Sequence, residues 1–176
     1  MAINESDMEM WENMFETSSR KLMVIQDGMK KLIDVDIHFD RPVLGKIVVL
    51  RRNQAEQFKY DKPWACISVS DPNSPPAKIN NSNTLFLHFD DVSYNETDMV
   101  PIQKDHAKQI LEFAKKVWDS VDLLMIHCNA GLCRSPAIAQ VLSEIYQPEQ
   151  SQYFPQLYLP NKLVLSTLRE VLNEQN

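Results

Sequence analysis

Residues 123–136 read LLMIHCNAGLCRSP, and this stretch decides the fold of the chain. Four apolar residues, 123–126, lead towards Cys128, and a helical pattern begins at Ser135 and Pro136. Serine suits the cap of a helix, and proline suits its first turn. The stretch therefore predicts a buried strand, a short loop and a helix. In α/β proteins, ligand sites lie at this carboxyl end of the strands.

Three further short apolar runs have the same character as the run before Cys128. They are residues 47–50, 64–69 and 84–89, and their length suits strands that are covered on both faces. Apolar residues recur at helical spacing over residues 105–121, 135–146 and 161–173, and proline-containing loops cover residues 71–83 and 147–160. We therefore expect an α/β fold with a central, mostly parallel sheet of four or five strands flanked by helices.

The first 40 residues have a different pattern. Residues 6–9 have the sequence of a capping box, and Gly28 weakens the helical pattern that follows. The apolar residues that recur there at roughly helical spacing are Trp11, Phe15, Leu22, Ile25, Met29 and Leu32. We expect a helical extension over residues 1–40 and an α/β domain over residues 41–176. The extension either packs on the main domain or docks a partner.

The composition restricts the classes of function. The chain has 176 residues, which suits one domain with a sizeable core, and its net charge of −6 disfavours nucleic acid as a partner. No apolar run approaches the ~20 residues that a membrane span needs. The acidic start lacks the apolar core of a signal peptide. Three cysteines cannot all pair with one another, so we expect reduced thiols and a cytoplasmic protein. We expect no membrane partner.

The loop after Cys128 has the chemistry of an anion site. Its backbone N–H groups and the dipole of the following helix attract negative charge, and Gly131 lets the backbone turn sharply. Arg134 can grip two oxygens of a tetrahedral anion with its planar fork. This positive environment favours the thiolate of Cys128, which is the nucleophilic form, and Ser135 can donate a hydrogen bond to the sulfur.

The motif H-C-x-x-G-x-x-R-S, residues 127–135, resembles the phosphate-binding loop of cysteine-dependent protein tyrosine phosphatases, including the dual-specificity branch. The resemblance implies that Cys128 is the nucleophile, Arg134 the phosphate clamp and Ser135 the group that stabilises the departing thiolate. It makes residues 41–176 a phosphatase domain that needs no metal and no cofactor. The implied phosphate-binding residues are Asn129, Ala130, Gly131, Leu132, Cys133 and Arg134.

The second thiol of the loop, Cys133, is unusual for that branch. It resembles the low-molecular-weight phosphatases, whose loop carries a cysteine just before the arginine but lies at the start of the chain. We therefore favour the tyrosine and dual-specificity topology. Cys133 is either a resolving thiol that forms a reversible disulfide with oxidised Cys128 or a small buried side chain. A metal site is disfavoured because no second pair of ligands follows.

A phosphoester leaving group needs a proton from a positioned acid. The resembling families carry an aspartate for this role on a mobile loop upstream of the cysteine, where this chain has Asp90, Asp91 and Asp98. Alternation along the strand of residues 84–89 leaves Asp91 at its exit, free to face the loop. We choose Asp91 as the general acid, ahead of Asp98 and then Asp90.

The expected activity is that of a phosphoprotein phosphatase that hydrolyses phosphotyrosine through a phosphocysteine intermediate. Phosphoserine and phosphothreonine stay open as further substrates. The uncharged side chains between Cys128 and Arg134 favour a monophosphate over a phosphoinositide. Three alternatives stay open: a weak or non-catalytic phospho-binding module, a phosphatase for a non-protein phosphate ester, and an arsenate-reductase-like role that only Cys133 suggests.

Overall fold

A mixed sheet forms the centre of the computed structural model, which describes residues 18–94 and 98–175. Within these residues the strands are β1 Ser18–Gln26, β2 Met29–His38, β3 Arg41–Leu44, β4 Ile47–Arg51, β5 Trp64–Ser70, β6 Thr84–His88 and β7 Leu123–Cys128. The helices are α1 Arg52–Glu56, α2 Lys104–Val117, α3 Arg134–Tyr146, α4 Pro148–Ser151, α5 Phe154–Leu157 and α6 Lys162–Glu174, with a 3₁₀ turn at Trp118–Ser120. The strand order is β1-β2-β3-β4-β7-β5-β6.

The half of the sheet that carries the loop is parallel. Strands β4, β7, β5 and β6 pair side by side in parallel, and every residue of β7 is buried. Strands covered on both faces can be apolar throughout, which is why the apolar runs of β4, β5 and β7 became strands. The fourth run became β6, but at the edge of the sheet it is only partly covered, and Phe86 is 42% exposed. The predicted α/β fold with a parallel core and flanking helices is confirmed.

The two faces of β7 belong to different parts of the core. Leu124 and Ile126 pack in the larger cluster with residues of α2, α3 and α6, whereas Leu123 and Met125 pack in a smaller cluster with Ala55 of α1. Side chains alternate along a strand, so Cys128 falls on the face covered by α3. Among the described residues, no helix is both long and apolar enough to cross a membrane.

The N-terminal part of the sheet corrects the prediction of a helix over residues 1–40. β1 and β2 form an antiparallel pair, and β3 joins them to β4, so the described sheet has seven strands instead of four or five. Val24 is buried at 2% exposure, while Met23 and Ile25 are exposed at 59% and 57%. Apolar residues on both faces of two strands produced the spacing that we interpreted as helical.

The rest of that prediction is untested. The capping box of residues 6–9, together with Trp11 and Phe15, lies outside the described residues. β2 pairs with β3 across the boundary that we predicted at residue 40, with His38 opposite Arg41. The N-terminal strands therefore extend the same sheet, and the division into two domains stays a prediction.

Candidate active site

The loop between β7 and α3 packs tightly against the end of β4. Gly131, in the middle of the loop, has a φ of 64°, which lies in the left-handed region. A Cβ atom at this position would lie 2.6 Å from the carbonyl oxygen of Leu50. Any other residue would therefore clash with backbone, so glycine sets how closely the loop approaches the sheet.

Backbone groups outside the loop turn its carbonyls outward. Three backbone N–H groups donate hydrogen bonds to loop carbonyls: Arg52 N to Asn129 O (3.2 Å), Leu159 N to Leu132 O (3.0 Å) and Asn161 N to Cys133 O (3.0 Å). The N–H that follows a carbonyl in a trans peptide points to the opposite side. The N–H groups of Ala130, Cys133 and Arg134 therefore point away from these donors, as an anion site requires.

Cys128 lies at the end of β7 with its side chain in the interior. It is 1% exposed, and the hydroxyl of Ser135 in the first turn of α3 donates a hydrogen bond to its sulfur at 3.1 Å. Ser135 is itself fully buried. A hydroxyl that donates to sulfur stabilises the thiolate more than the thiol. The structure thus brings together the predicted nucleophile and the predicted stabiliser of its anion.

Arg134 is buried at 3% exposure and anchored through one end of its guanidinium. Its Nη1 donates to the carbonyl oxygen of Phe89 at 2.6 Å and lies 2.7 Å from Oδ1 of Asp71. Its Nε is buried and has no hydrogen-bond partner among the described residues. Buried N–H groups are nearly always paired, so this nitrogen is a donor available to a bound acceptor.

The acidic partner of Arg134, Asp71, was missed by the sequence reasoning. Its carboxylate also accepts a hydrogen bond from Nδ2 of Asn129 in the loop at 2.5 Å. Asp71 follows β5 directly, at the same edge of the sheet as Cys128 and Asp91. The argument from strand ends that selected Asp91 would also have selected Asp71.

Asp91 lies beside the loop. Its Oδ1 accepts a hydrogen bond from Nδ2 of Asn161 at 2.8 Å. Asn161 donates in addition to the carbonyl oxygen of Val92 at 2.9 Å and caps α6 by accepting from the N–H of Val164 at 3.0 Å. One asparagine thus ties Asp91 to the start of α6.

The other two candidate acids are placed differently. The carboxylate of Asp90 accepts the N–H of Val100 at 2.7 Å, and the N–H of Asp90 donates to the carbonyl oxygen of Val100 at 2.7 Å. Asp90 therefore closes the base of the segment that carries all three aspartates. Asp98 is an exposed residue of that segment.

Cys133 is a half-buried thiol at the N-terminus of α3. Burial raises its pKa, and the charge and hydrogen bond of Asp91 raise it further. Cys133 therefore stays a thiol at neutral pH and is a poor nucleophile on its own. The third cysteine, Cys66, is fully buried, and burial raises its pKa well above the ordinary value. The disulfide between Cys128 and Cys133 stays a prediction.

His127 points to the opposite face of β7 from Cys128. It is fully buried, and its Nε2 lies 2.8 Å from the hydroxyl oxygen of Ser68 on β5. Burial lowers the pKa of His127 to about 4, so the ring is neutral at pH 7. In the described part of the chain, no group of three His, Cys, Asp or Glu side chains is arranged to hold a metal ion.

No model of a known protein family matches the sequence, and no curated protein matches it either. Solved structures do match. Human DUSP28 has a TM-score of 0.55 at 13% identity over 75% of this chain and 96% of its own. The human tyrosine phosphatase-like serine/threonine/tyrosine-interacting protein has a TM-score of 0.55 at 14% identity over 74% of this chain and 93% of its own.

A mouse dual specificity phosphatase complexed with zinc tungstate is a further neighbour. Its TM-score is 0.54 at 11% identity over 73% of this chain and 83% of its own. These likenesses show the fold of the chain. The chain has the α/β fold of the cysteine-dependent tyrosine and dual-specificity phosphatases, as the motif of residues 127–135 led us to expect.

Proposed function

We propose that the protein is a phosphatase that hydrolyses phosphotyrosine in phosphoproteins through a phosphocysteine intermediate. The observation that carries the proposal is the buried pair of Cys128 and Ser135, whose sulfur and hydroxyl oxygen are 3.1 Å apart at the start of an anion-binding loop. The unpartnered Nε of the buried Arg134 supports the same reading, because it needs an acceptor such as a phosphoryl oxygen.

In the first proposed step, the thiolate of Cys128 attacks phosphorus as the bond to the leaving oxygen breaks. Asp91 donates its proton to that oxygen, so the leaving group departs as a neutral alcohol or phenol. Arg134 and the N–H groups of the loop hold the other phosphoryl oxygens, where charge lies in the transition state. The product of this step is a phosphocysteine at Cys128.

In the second proposed step, water attacks the phosphocysteine. Asp91, now a carboxylate, takes a proton from the water as the phosphorus–sulfur bond breaks. Ser135 stabilises the departing thiolate through its hydrogen bond, and inorganic phosphate leaves the loop. The enzyme returns to its starting state, with Asp91 protonated again, and water is the only co-substrate that these steps use.

The substitution Cys128→Ser tests the proposal. We expect turnover of para-nitrophenyl phosphate to fall on the order of 10⁴-fold or more, because a serine hydroxyl is a far weaker nucleophile than a thiolate. Calorimetry should show that the variant still binds inorganic phosphate. Cys66→Ala removes a buried thiol remote from the loop and should keep full turnover. Appreciable activity in Cys128→Ser would refute the scheme.

The substrate is proposed on the same grounds. The residues between Cys128 and Arg134 include no lysine, and the planar guanidinium of Arg134 suits one tetrahedral dianion. Phosphotyrosine, phosphoserine and phosphothreonine peptides of one sequence should be turned over at different rates, with phosphotyrosine the fastest. Inositol phosphates as efficient as the phosphopeptides would overturn this choice of substrate.

A second candidate is a phospho-binding module without turnover. One observation favours it: Asp71 already pairs with Nη1 of Arg134 at 2.7 Å, which occupies one of the five N–H donors of the clamp. The same fold also occurs in the human protein described as tyrosine phosphatase-like and as an interacting protein. Micromolar binding of a phosphotyrosine peptide without release of phosphate would decide for this candidate.

A further inference from the structure

The five carbonyls of residues 129–133 divide into two groups by the donor that they accept from. Three accept backbone N–H groups, as described above. The two in the middle, Ala130 O and Gly131 O, accept from a side chain: Nη2 of Arg41 lies 3.5 Å from the first, and Nη1 lies 3.3 Å from the second. The guanidinium of Arg41 thus donates to these two carbonyls, whereas backbone N–H groups donate to the other three.

Arg41 is held in place from both ends. It opens β3 directly after a tight turn at Phe39 and Asp40, whose φ values are 49° and 60°. The amide of Gln54 donates to the carbonyl oxygen of Phe39 at 2.8 Å, which fixes that turn against α1. At the other end, the guanidinium carbon lies 5.8 Å from the ring centroid of the buried Tyr158. Such a fixed cation can orient the groups that it contacts.

The orientation of these two carbonyls decides where two N–H groups point. Across a trans peptide, the Ala130 carbonyl opposes the N–H of Gly131, and the Gly131 carbonyl opposes the N–H of Leu132. Gly131 has more conformational freedom than any other loop residue, so its peptide groups are the ones most able to rotate. Hydrogen bonds from a charged donor restrict that rotation.

We propose that Arg41 is a positioning residue of the phosphate-binding loop. It holds the carbonyls of Ala130 and Gly131 outward, so that the N–H groups of Gly131 and Leu132 point at the bound phosphoryl oxygens. Arg41 acts through the loop and does not touch the substrate. The inference rests on the proposed function, and it assigns a role to a strand that the sequence pattern did not predict.

Arginine suits this role better than lysine. The two carbonyls belong to successive residues, and the planar fork of one guanidinium reaches both with separate nitrogens. A lysine ammonium keeps the charge but has a single nitrogen. The pair of variants Arg41→Lys and Arg41→Ala therefore separates the effect of charge from that of the fork.

The test measures kcat/KM for para-nitrophenyl phosphate and the Kd of inorganic phosphate in Arg41→Ala, Arg41→Lys and Arg20→Ala. We expect both Arg41 variants to lose on the order of ten- to a hundredfold in kcat/KM, because misaligned donors weaken transition-state binding, with Lys the less affected. The Kd of phosphate should rise in parallel. Added guanidinium should restore part of the activity of Arg41→Ala.

Arg20→Ala is the matched control. Arg20 lies on β1 and forms an exposed ion pair at 3.4 Å with Asp40, in the turn before Arg41. Its removal therefore changes the net charge equally but removes no donor to the loop. It should keep the wild-type kcat/KM and phosphate Kd. If Arg41→Ala does not fold, Arg41→Lys still decides, because the proposal requires it to bind phosphate more weakly than the wild type.

The outcomes separate this inference from the proposed function. If the wild type binds phosphate but does not turn over ester, the proposed function fails, and the phosphate Kd of the Arg41 variants still decides the role of Arg41. Wild-type phosphate affinity in Arg41→Ala would overturn the inference. It would also be overturned if Arg41→Lys had the phosphate Kd of the wild type. A loss of kcat/KM with phosphopeptides but not with para-nitrophenyl phosphate would overturn it as well.

Discussion

The segment from β7 to α3 and the β1–β2 hairpin are both rich in apolar residues, yet only the first was assigned correctly from the sequence. In β7 every side chain is buried, and Gly131 and Pro136 after it favour a turn and the first turn of a helix. The helix begins one residue before Ser135, which the sequence predicts as its cap, and its N-cap is Cys133. In the hairpin the apolar residues are divided between a buried and an exposed face. The comparison shows that the spacing of apolar residues identifies a helix or strand only where its burial and the neighbouring turn and capping residues agree with it.

The turn signal of the β1–β2 hairpin was present in the sequence. Asp27 and Gly28 connect the two strands with φ values of 51° and 74°, and Asp-Gly between apolar alternations is a strong signal for a hairpin turn. Exposed Met23 lies opposite exposed Leu32, which added apolar residues on the solvent face. Because of those exposed apolar residues, the two-residue alternation of a strand resembled the spacing of three to four residues that is typical of a helix.

The largest test of the comparison is Gly131→Ala. The new Cβ would lie 2.6 Å from backbone at Leu50, in a conformation that L residues avoid. We expect a loss of about 2–4 kcal/mol in the free energy of unfolding, together with the loss of phosphate binding. Urea denaturation and calorimetry would check both. A stable variant that binds phosphate normally would show that the loop tolerates a side chain here.

Next in size is the effect of Asp91→Asn on turnover. An amide cannot donate the proton that the leaving group needs, so kcat on an aryl phosphate should fall on the order of 10²–10³-fold, with loss of the basic limb of the pH–rate profile. Asp98→Asn is the matched control and should stay near the wild type. If Asp98→Asn shows the larger loss in kcat, the acid is Asp98 and our choice is wrong.

Asp90→Asn should act through the fold of the segment instead. Its carboxylate holds the N–H of Val100, so the amide variant should lower kcat less than Asp91→Asn does and should leave the pH profile unchanged in shape. A proteolysis assay of the segment around residues 90–100 would detect its opening. A changed pH profile in this variant would contradict a purely structural role for Asp90.

The fourth effect tests whether water is excluded from the protein interior beside β7. Burial lowers the pKa of His127 to about 4 from 6.5, so the unfolded chain binds a proton more readily than the folded one. The stability that this provides is complete above pH 6.5 and is lost as the pH falls towards 4, by about 3 kcal/mol.

His127→Asn isolates this contribution. The other titrating groups are common to both proteins, so the difference in unfolding free energy between wild type and variant should shrink between pH 6.5 and pH 4. Denaturation at several pH values would measure it. Parallel pH dependences in the two proteins would mean that His127 is hydrated in the folded state.

The parts of the site that the sequence predicted are those fixed by neighbours in the chain. Cys128, Gly131, Arg134 and Ser135 lie within eight residues, so a strand, a turn and a helix start bring them together. Asp71 and Arg41 reach the loop only through the pairing of distant strands. The position of Asp71 at the end of β5 was available from the sequence, but its pairing with Arg134 was not, and no local pattern encodes the contact of Arg41 with the loop. Arg41 was also beyond prediction because the segment before it was assigned to a helix.

Gly28→Ala is the smallest test, and it sharpens the contrast with Gly131→Ala. Both glycines have a positive φ, but no atom lies within 4 Å of a Cβ added at Gly28. Only the backbone strain remains, and we expect a loss of about 1 kcal/mol in the free energy of unfolding. Turnover and phosphate Kd should be unchanged, because Gly28 lies in a turn that does not contact the loop. A drop in kcat/KM without further loss of stability would mean that the β1–β2 hairpin is coupled to the site, and the two regions would then differ in how they are encoded but not in what they do.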